Sequence, residues 1–370
     1  MVQGGDGGGI ARQLATELGS PALLVVFASW RVPTEELAAA LANRFPHSRV
    51  VGCTSSGEIG PDGVLEGSVA ALAMYAPAVK AGVGLARDLR GQSLAVSRAA
   101  VTSAAAELGR SPVDLEPARH VAITLFDGRS SLAEGFCLAT AATAPQIQFV
   151  GGAASDLVGG PPRTRTFLGG EVIEGGGVVV VLETELPFSV VAGEHLEPTP
   201  VKVVVTAADP DQRLLHELDG QPALQRYREL VTGLGGAITD IESAAVFPFA
   251  RYVEGKAYVR SVYDIEGTAL KMASAVETGQ VLRLMRTGDL IGSTARELAR
   301  ADEVVHGICA LLAFSCIARN HEAGKFGLAA GLAAVYGRYP VVGFHTNGEQ
   351  LGATLVNHTL TGLALGNARG

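Results

Sequence analysis

The sequence predicts an α/β protein with mixed sheets, built from internally repeated strand-helix-strand units in two closely packed regions. A shared phrase and a shared spacing carry that reading. Val50-Val51-Gly52-Cys53-Thr54-Ser55-Ser56-Gly57-Glu58 and Val341-Val342-Gly343-Phe344-His345-Thr346-Asn347-Gly348-Glu349 both read V-V-G-x-x-[ST]-x-G-E. An apolar run that feeds a Gly-rich turn, a hydroxyl and a carboxylate presents polar groups at the end of a buried strand. The spacing is that of a leading apolar segment: 25 residues separate Phe27 from Gly52 and Phe126 from Gly151, and 29 separate Phe314 from Gly343. The middle copy ends in Val150-Gly151-Gly152-Ala153-Ala154-Ser155-Asp156, and the third carries extra residues around Gly324 and Gly327.

Taken in order, residues 1–20 are Gly-rich and are expected to form a flexible tail. Residues 22–27 give the first strand. Leu37, Leu41 and Phe45 fall at i, i+4 and i+8 behind Pro33, which predicts a helix. Residues 67–74 are apolar, and residues 94–108 are Ala-rich and helical. Residues 111–119, with Pro112 and Pro117, connect to the second leading strand at 121–126. Ser131 and Glu134 make an S-x-x-E capping box before Leu132 and Phe136. Residues 177–182 match 67–74, since Pro77 and Pro187 each follow ten residues after the opening glycine. Strands are expected at 201–206 and 214–218, and a helix behind Pro222. Residues 258–263 and 280–285 read as two paired strands, and 289–300 as a helix capped by Asp289. Leu328, Leu332 and Tyr336 repeat the helical spacing before the last copy ends at 361–365. The boundary between the two regions is placed near 220.

Composition narrows the function classes. The chain has 370 residues, a net charge of −8 and only 18% charged residues, which places it far from disordered chains. No basic stripe is visible, so nucleic acid is not expected. The longest apolar run, 308–318, is too short for the roughly 18–20 residues that span a bilayer, and no signal peptide is seen, so neither membrane insertion nor export is expected. Cys53, Cys137, Cys309 and Cys316 are scattered rather than paired, which suits a reduced cytoplasmic protein.

The phrases resemble the FIST family, in which a FIST N region precedes a FIST C region. The likeness rests on 51–59, Leu125-Phe126-Asp127-Gly128, 150–156, Glu217-Leu218-Asp219-Gly220-Gln221-Pro222-Ala223, Phe314-Ser315-Cys316-Ile317-Ala318-Arg319, 343–349 and Asn357-His358-Thr359. It assigns 21–220 to FIST N and 221–367 to FIST C. It implies a stand-alone, bacterial-type sensory module that recognises a small polar metabolite such as an amino acid and signals to a protein partner. With only about 20 residues before the first strand, no F-box or output domain is expected within this sequence. Haem-binding relatives carry a His/Arg/Tyr/Pro spacing that is absent here, so no cofactor is expected.

Candidate ligand-binding residues follow. Thr54, Ser56, Gly57 and Glu58, with their twins Thr346, Gly348 and Glu349, offer hydroxyls, N–H groups and carboxylates to a small zwitterion. Equally, such residues satisfy their own turns. Arg319 at a strand end can clamp a carboxylate, and Cys316, His345, Asn357 and Asp156 end neighbouring segments. His345, Glu349 and His358 are metal-donor types, but their spacing matches no compact zinc pattern, so no metal is expected. Gly52–Gly57 does not satisfy G-x-S-x-G, and Walker, H-E-x-x-H and Rossmann patterns are missing. The reading therefore leans away from an enzyme. Its rivals are a hydrolase or transferase using Cys316 or Glu349, and a protein-binding scaffold.

Overall fold

The computed structural model describes residues 1–128, 132–156, 163–253 and 255–368. It is mixed α/β, and its body is three versions of one unit. Each begins with an edge strand and a helix, then runs strand, helix, strand, two-stranded arm, return strand. In the first repeat these are Val2–Gln3, Gly7–Leu18, Leu23–Ser29, Thr34–Arg44, Arg49–Ser55, the arm Glu58–Gly60 with Gly63–Leu65, and Ser68–Met74. The second runs Val79–Ala86, Leu89–Glu107, His120–Asp127, Ala133–Thr143, Gln148–Ala154, Thr166–Leu168 with Glu171–Ile173, and Gly177–Thr184. The third runs Phe188–Gly193, Leu290–Val305, Ile308–Cys316, Ala329–Tyr336, Val341–Thr346, Glu349–Leu351 with Thr354–Val356, and Leu360–Gly366. An additional helix, Ile317–Phe326, accounts for the wider spacing in the third copy.

Each repeat makes a six-stranded mixed sheet by exchanging its arm with a neighbour. The two central strands pair in parallel and the return strand closes on the first of them antiparallel. The first repeat's arm pairs with Val341–Thr346 of the third, the third's with Gln148–Ala154 of the second, and the second's with Arg49–Ser55 of the first. The exchange is cyclic, so no repeat completes its sheet alone.

The recurring glycine has one cause. A Cβ at Gly52, Gly151 or Gly343 would collide with the carbonyl of Val26, Thr124 or Ala313 on the parallel partner strand. Glycine therefore allows the close backbone approach at the same register position three times. Inward-facing side chains of the three sheets merge into one core, where Phe27, Phe314 and Phe344 are fully buried. The Phe27 and Phe344 centroids lie 4.5 Å apart.

An eight-stranded sheet with two helices, Ala223–Gly233 and Ile241–Ala245, is inserted between Phe188–Gly193 and Leu290–Val305 of the third repeat. It has its own core around Val205, Leu215, Tyr227, Phe249 and Leu284.

Some expectations are corrected. Residues 1–20 are not a flexible tail: Asp6 caps the helix Gly7–Leu18 by accepting from Gly9 N, and Ile10, Ala11 and Leu14 are buried on the first sheet's outer face. Residues 258–263 are split between Lys256–Arg260 and Val262–Glu266, and neither pairs with Val281–Thr287. Phe249–Val253 lies between, because it bonds to both Lys256–Arg260 and Val281–Thr287. The capping box at Ser131 falls outside the described residues. Among those described, no helix is long and apolar enough to cross a membrane.

Candidate functional site

The loops that follow the three second strands meet at the centre of the body, and they use one contact three times. Thr54 N donates to Arg165 O, Ala153 N to Gly348 O and His345 N to Gly57 O, at 2.8–2.9 Å. Around this ring Ser56 N donates to Ser155 Oγ at 2.9 Å, and Ser155 Oγ donates to His345 O. Arg165 N donates to Thr54 Oγ1 at 3.0 Å. Asp156 accepts from Arg163 N at 2.6 Å. Gly348 takes φ +132 beside Asn357, a conformation that disfavours a side chain.

The two carboxylates of the repeated phrase are fully buried and equivalently held. Glu58 accepts from Ser55 Oγ and from Ser68 Oγ and N. Glu349 accepts from Thr346 Oγ1 and from Thr359 Oγ1 and N. In both the second partner lies ten residues on. Burial raises both carboxyls against these bonds, Glu349 to about 8. Register puts Thr166 at the same place in the second arm, since Thr166 faces Cys53 as Glu58 faces Phe344 and Glu349 faces Gly152.

Of the twelve sequence candidates, Cys316 and Asn357 line a cavity of about 510 Å³ at the seam between the insertion and the body. The insertion contributes Arg213, Ser261, Tyr263, Asp264 and Lys271; the body contributes Gly128, His321 and Asn347. Cys316 immediately precedes the helix Ile317–Phe326 without a side-chain capping bond, and burial, then the nearby Glu349, pushes its thiol far up. Asn357 is fully buried: its Oδ1 accepts from Ser274 Oγ, while its Nδ2 has no partner among the described residues.

Behind this wall lies a buried polar cluster. Arg319, 1% exposed, donates to Ser315 Oγ at 3.3 Å, to Thr294 Oγ1 at 2.7 Å and to His195 Nδ1 at 3.2 Å. An imidazole that accepts at Nδ1 carries its proton on Nε2, and His195 Nε2 meets Glu322 Oε2 at 2.6 Å. His358 Nε2 lies 3.5 Å from the same oxygen. Burial pulls Glu322 upward, but the bond from His195 and the nearby His358 imidazole outweigh it and hold the carboxyl below its ordinary value. Burial drives His195 down to about 4.

His195, Glu322 and His358 have the donor types of a metal site and sit within 4.8 Å of one another. Their chemistry does not fit one. Metal-bound imidazoles donate their second N–H to an acceptor, whereas the second nitrogen of His195 faces a guanidinium, which has no acceptor.

Sequence reasoning missed Ser261, His321, Glu322 and His195. Each lies in a segment without a repeated phrase. Only the spacing of Arg319 and Glu322, one turn apart on a helix, offered a signal.

The FIST N domain model matches residues 22–221 and the FIST C domain model matches residues 223–351. The chain belongs to the FIST family. FIST domains are associated with sensory functions in signal transduction. The boundary between the two matches falls inside the insertion rather than between repeats. An uncharacterized protein of Methanocaldococcus jannaschii is 35% identical over 86 residues, 23% of this chain and 16% of that one. The chain thus matches a small part of that relative's length. A crystal structure of a cyanuric acid hydrolase from A. caulinodans covers 99% of this chain and 98% of its own, with a TM-score of 0.37 and 11% identity. That likeness is too low to assign fold or activity.

Proposed function

We propose that this FIST protein is the sensory unit of a signalling system and binds a small polar metabolite, an amino acid or a molecule of similar size, in the seam cavity. The observation that carries this is Asn357 Nδ2, a buried donor with no partner among the described residues, on the wall of a cavity. Leaving such a group unpaired costs about 1–3 kcal/mol, and a ligand oxygen would recover it. The cavity has walls on both the insertion and the body, so an occupant that touches both would favour one arrangement of the two. A ligand shifts such an equilibrium only by its differential affinity for the two arrangements, and a signalling protein would read the result. Four free cysteines suit a cytoplasmic setting.

The test is a thermal-shift screen of amino acids and small carboxylates on the wild type and on Asn357→Ala. Ligands that stabilise the wild type and lose about tenfold affinity in the variant support the reading. Stabilisation equal in both proteins, or none by any compound, contradicts it.

A further inference from the structure

The cluster behind the cavity wall holds more than a binding site requires. Ser261 lines the cavity, and its Oγ lies 3.3 Å from His358 Nδ1. His358 Nε2 lies 3.5 Å from Glu322 Oε2. Hydroxyl, imidazole and carboxylate thus follow one another in contact, contributed by the insertion, the loop before the last strand, and the helix Ile317–Phe326. We propose that Ser261, His358 and Glu322 form an acyl-transfer triad that opens on the seam cavity and cleaves a small carboxylic ester, with Asn357 Nδ2 as the donor to the oxyanion.

Each part has a physical role. Triads are recognised by geometry and roles rather than chain order. A seryl hydroxyl that donates to Nδ1 leaves the proton of neutral His358 on Nε2, facing Glu322. Burial keeps His358 neutral, the form a general base needs. Arg319 and His195 back the acid from the far side: the guanidinium fixes the His195 tautomer, and His195 donates to Glu322, which keeps it ionised. His358 adopts φ +62, a region other residues than glycine seldom occupy, and strain of this kind gathers at functional sites. The Ser261–His358 hydrogen bond is long at 3.3 Å and the His358–Glu322 contact is 3.5 Å, and catalytic contacts often tighten only when substrate binds. Asn357 supplies the donor because Ser274 occupies its oxygen and leaves its nitrogen turned to other use.

The chemistry balances with water as the only co-reactant. Ser261 Oγ bonds to the ester carbonyl carbon, the π pair moves to oxygen, and the seryl proton passes to His358 Nδ1. The tetrahedral adduct collapses, the bond to the alkoxide breaks, and His358 returns the proton to it. Water then attacks the acyl-serine by the same path, releasing the carboxylic acid and restoring Ser261.

This goes beyond the sensory reading while sharing its cavity. The experiment is treatment of the full chain with a fluorophosphonate probe, followed by intact mass and peptide mapping, alongside turnover of p-nitrophenyl acetate. A single adduct on Ser261 is expected. Ser261→Ala should abolish it and lower turnover at least ~100-fold. Asn357→Ala should slow labelling by roughly 100-fold, and His358→Gln by at least that much, with melting curves confirming that each variant is folded. Ser261→Cys keeps a nucleophile and should react with iodoacetamide at position 261, faster when His358 is intact. No adduct on Ser261 in folded wild type, or labelling equally fast in His358→Gln, overturns the triad. Thermal stabilisation of Ser261→Ala by small metabolites, measured in parallel, reads the sensory proposal separately, so either can fail alone.

Discussion

The centre of the three repeats and the seam beside the insertion are both polar and buried. Each leaves polar atoms without a partner among the described residues, His345 Nε2 and Thr166 Oγ1 at the centre and Asn357 Nδ2 at the seam, but they differ in what adjoins those atoms. At the centre every carboxylate of the repeated phrase has its hydroxyl and backbone donors, and the loops close on one another through matching N–H to carbonyl bonds. At the seam, Asn357 Nδ2 has no partner among the described residues and lies beside a cavity of about 510 Å³. The lesson is that a repeated, polar phrase marks where repeats lock together, while the proposed site lies where the repeat is interrupted. A buried group left unpaired costs free energy that only another role recovers.

The sharpest break of the comparison is at the shared core. Phe344→Ala is expected to cost about 3–5 kcal/mol in urea unfolding, because Phe344 packs against both Phe27 and Phe314. Next is the missing third carboxylate. Thr166→Glu places an acid where the residue ten positions on is Gly176, so no hydroxyl awaits it. A loss of about 3 kcal/mol is expected, and a neutral or stabilising result would show that the three arms are not equivalent.

A smaller effect is titration of Glu349. Its folded carboxyl lies near 8 against 4.5 for the free group, so the folded state holds the proton more tightly. That contribution is complete below about pH 4.5 and is lost as pH rises through about 8. Glu349→Gln, which removes the titration, should flatten this decline in melting temperature; an unchanged slope would assign it to other groups. The last expected effect is on the stability of Asn357→Ala, a loss of about 1–3 kcal/mol because the buried Ser274 Oγ loses its acceptor, with ligand affinity falling as well. A loss well above that range, with ligand affinity unchanged, would make Asn357 a structural member like Glu349.

Much of the fold was legible. The Phe-to-Gly spacing and the apolar runs located the central strands of each repeat, because buried parallel strands are written as short apolar stretches. The arm exchange was not legible: which sheet receives Glu58–Gly60 depends on how three units surround a common core, and the arms are only three residues long. The insertion's pairing was misread because local alternation does not say which strand lies between two others. For the candidate site, the phrase Asn357-His358-Thr359 and the pair Cys316 and Arg319 pointed to the seam, whereas Glu58, Thr54 and Ser56 pointed to the centre. Both sets have the same polar composition; only tertiary packing separates a satisfied hydroxyl from an available one. Ser261 had no local signal at all.

The most direct test is a crystallographic soak of the full chain with a library of small carboxylates and amides. Density gathered in the seam, in contact with Asn357, is the outcome predicted. Density instead among the loops at 54–57 and 345–348, with the seam empty at every soak, would contradict the placement of the site.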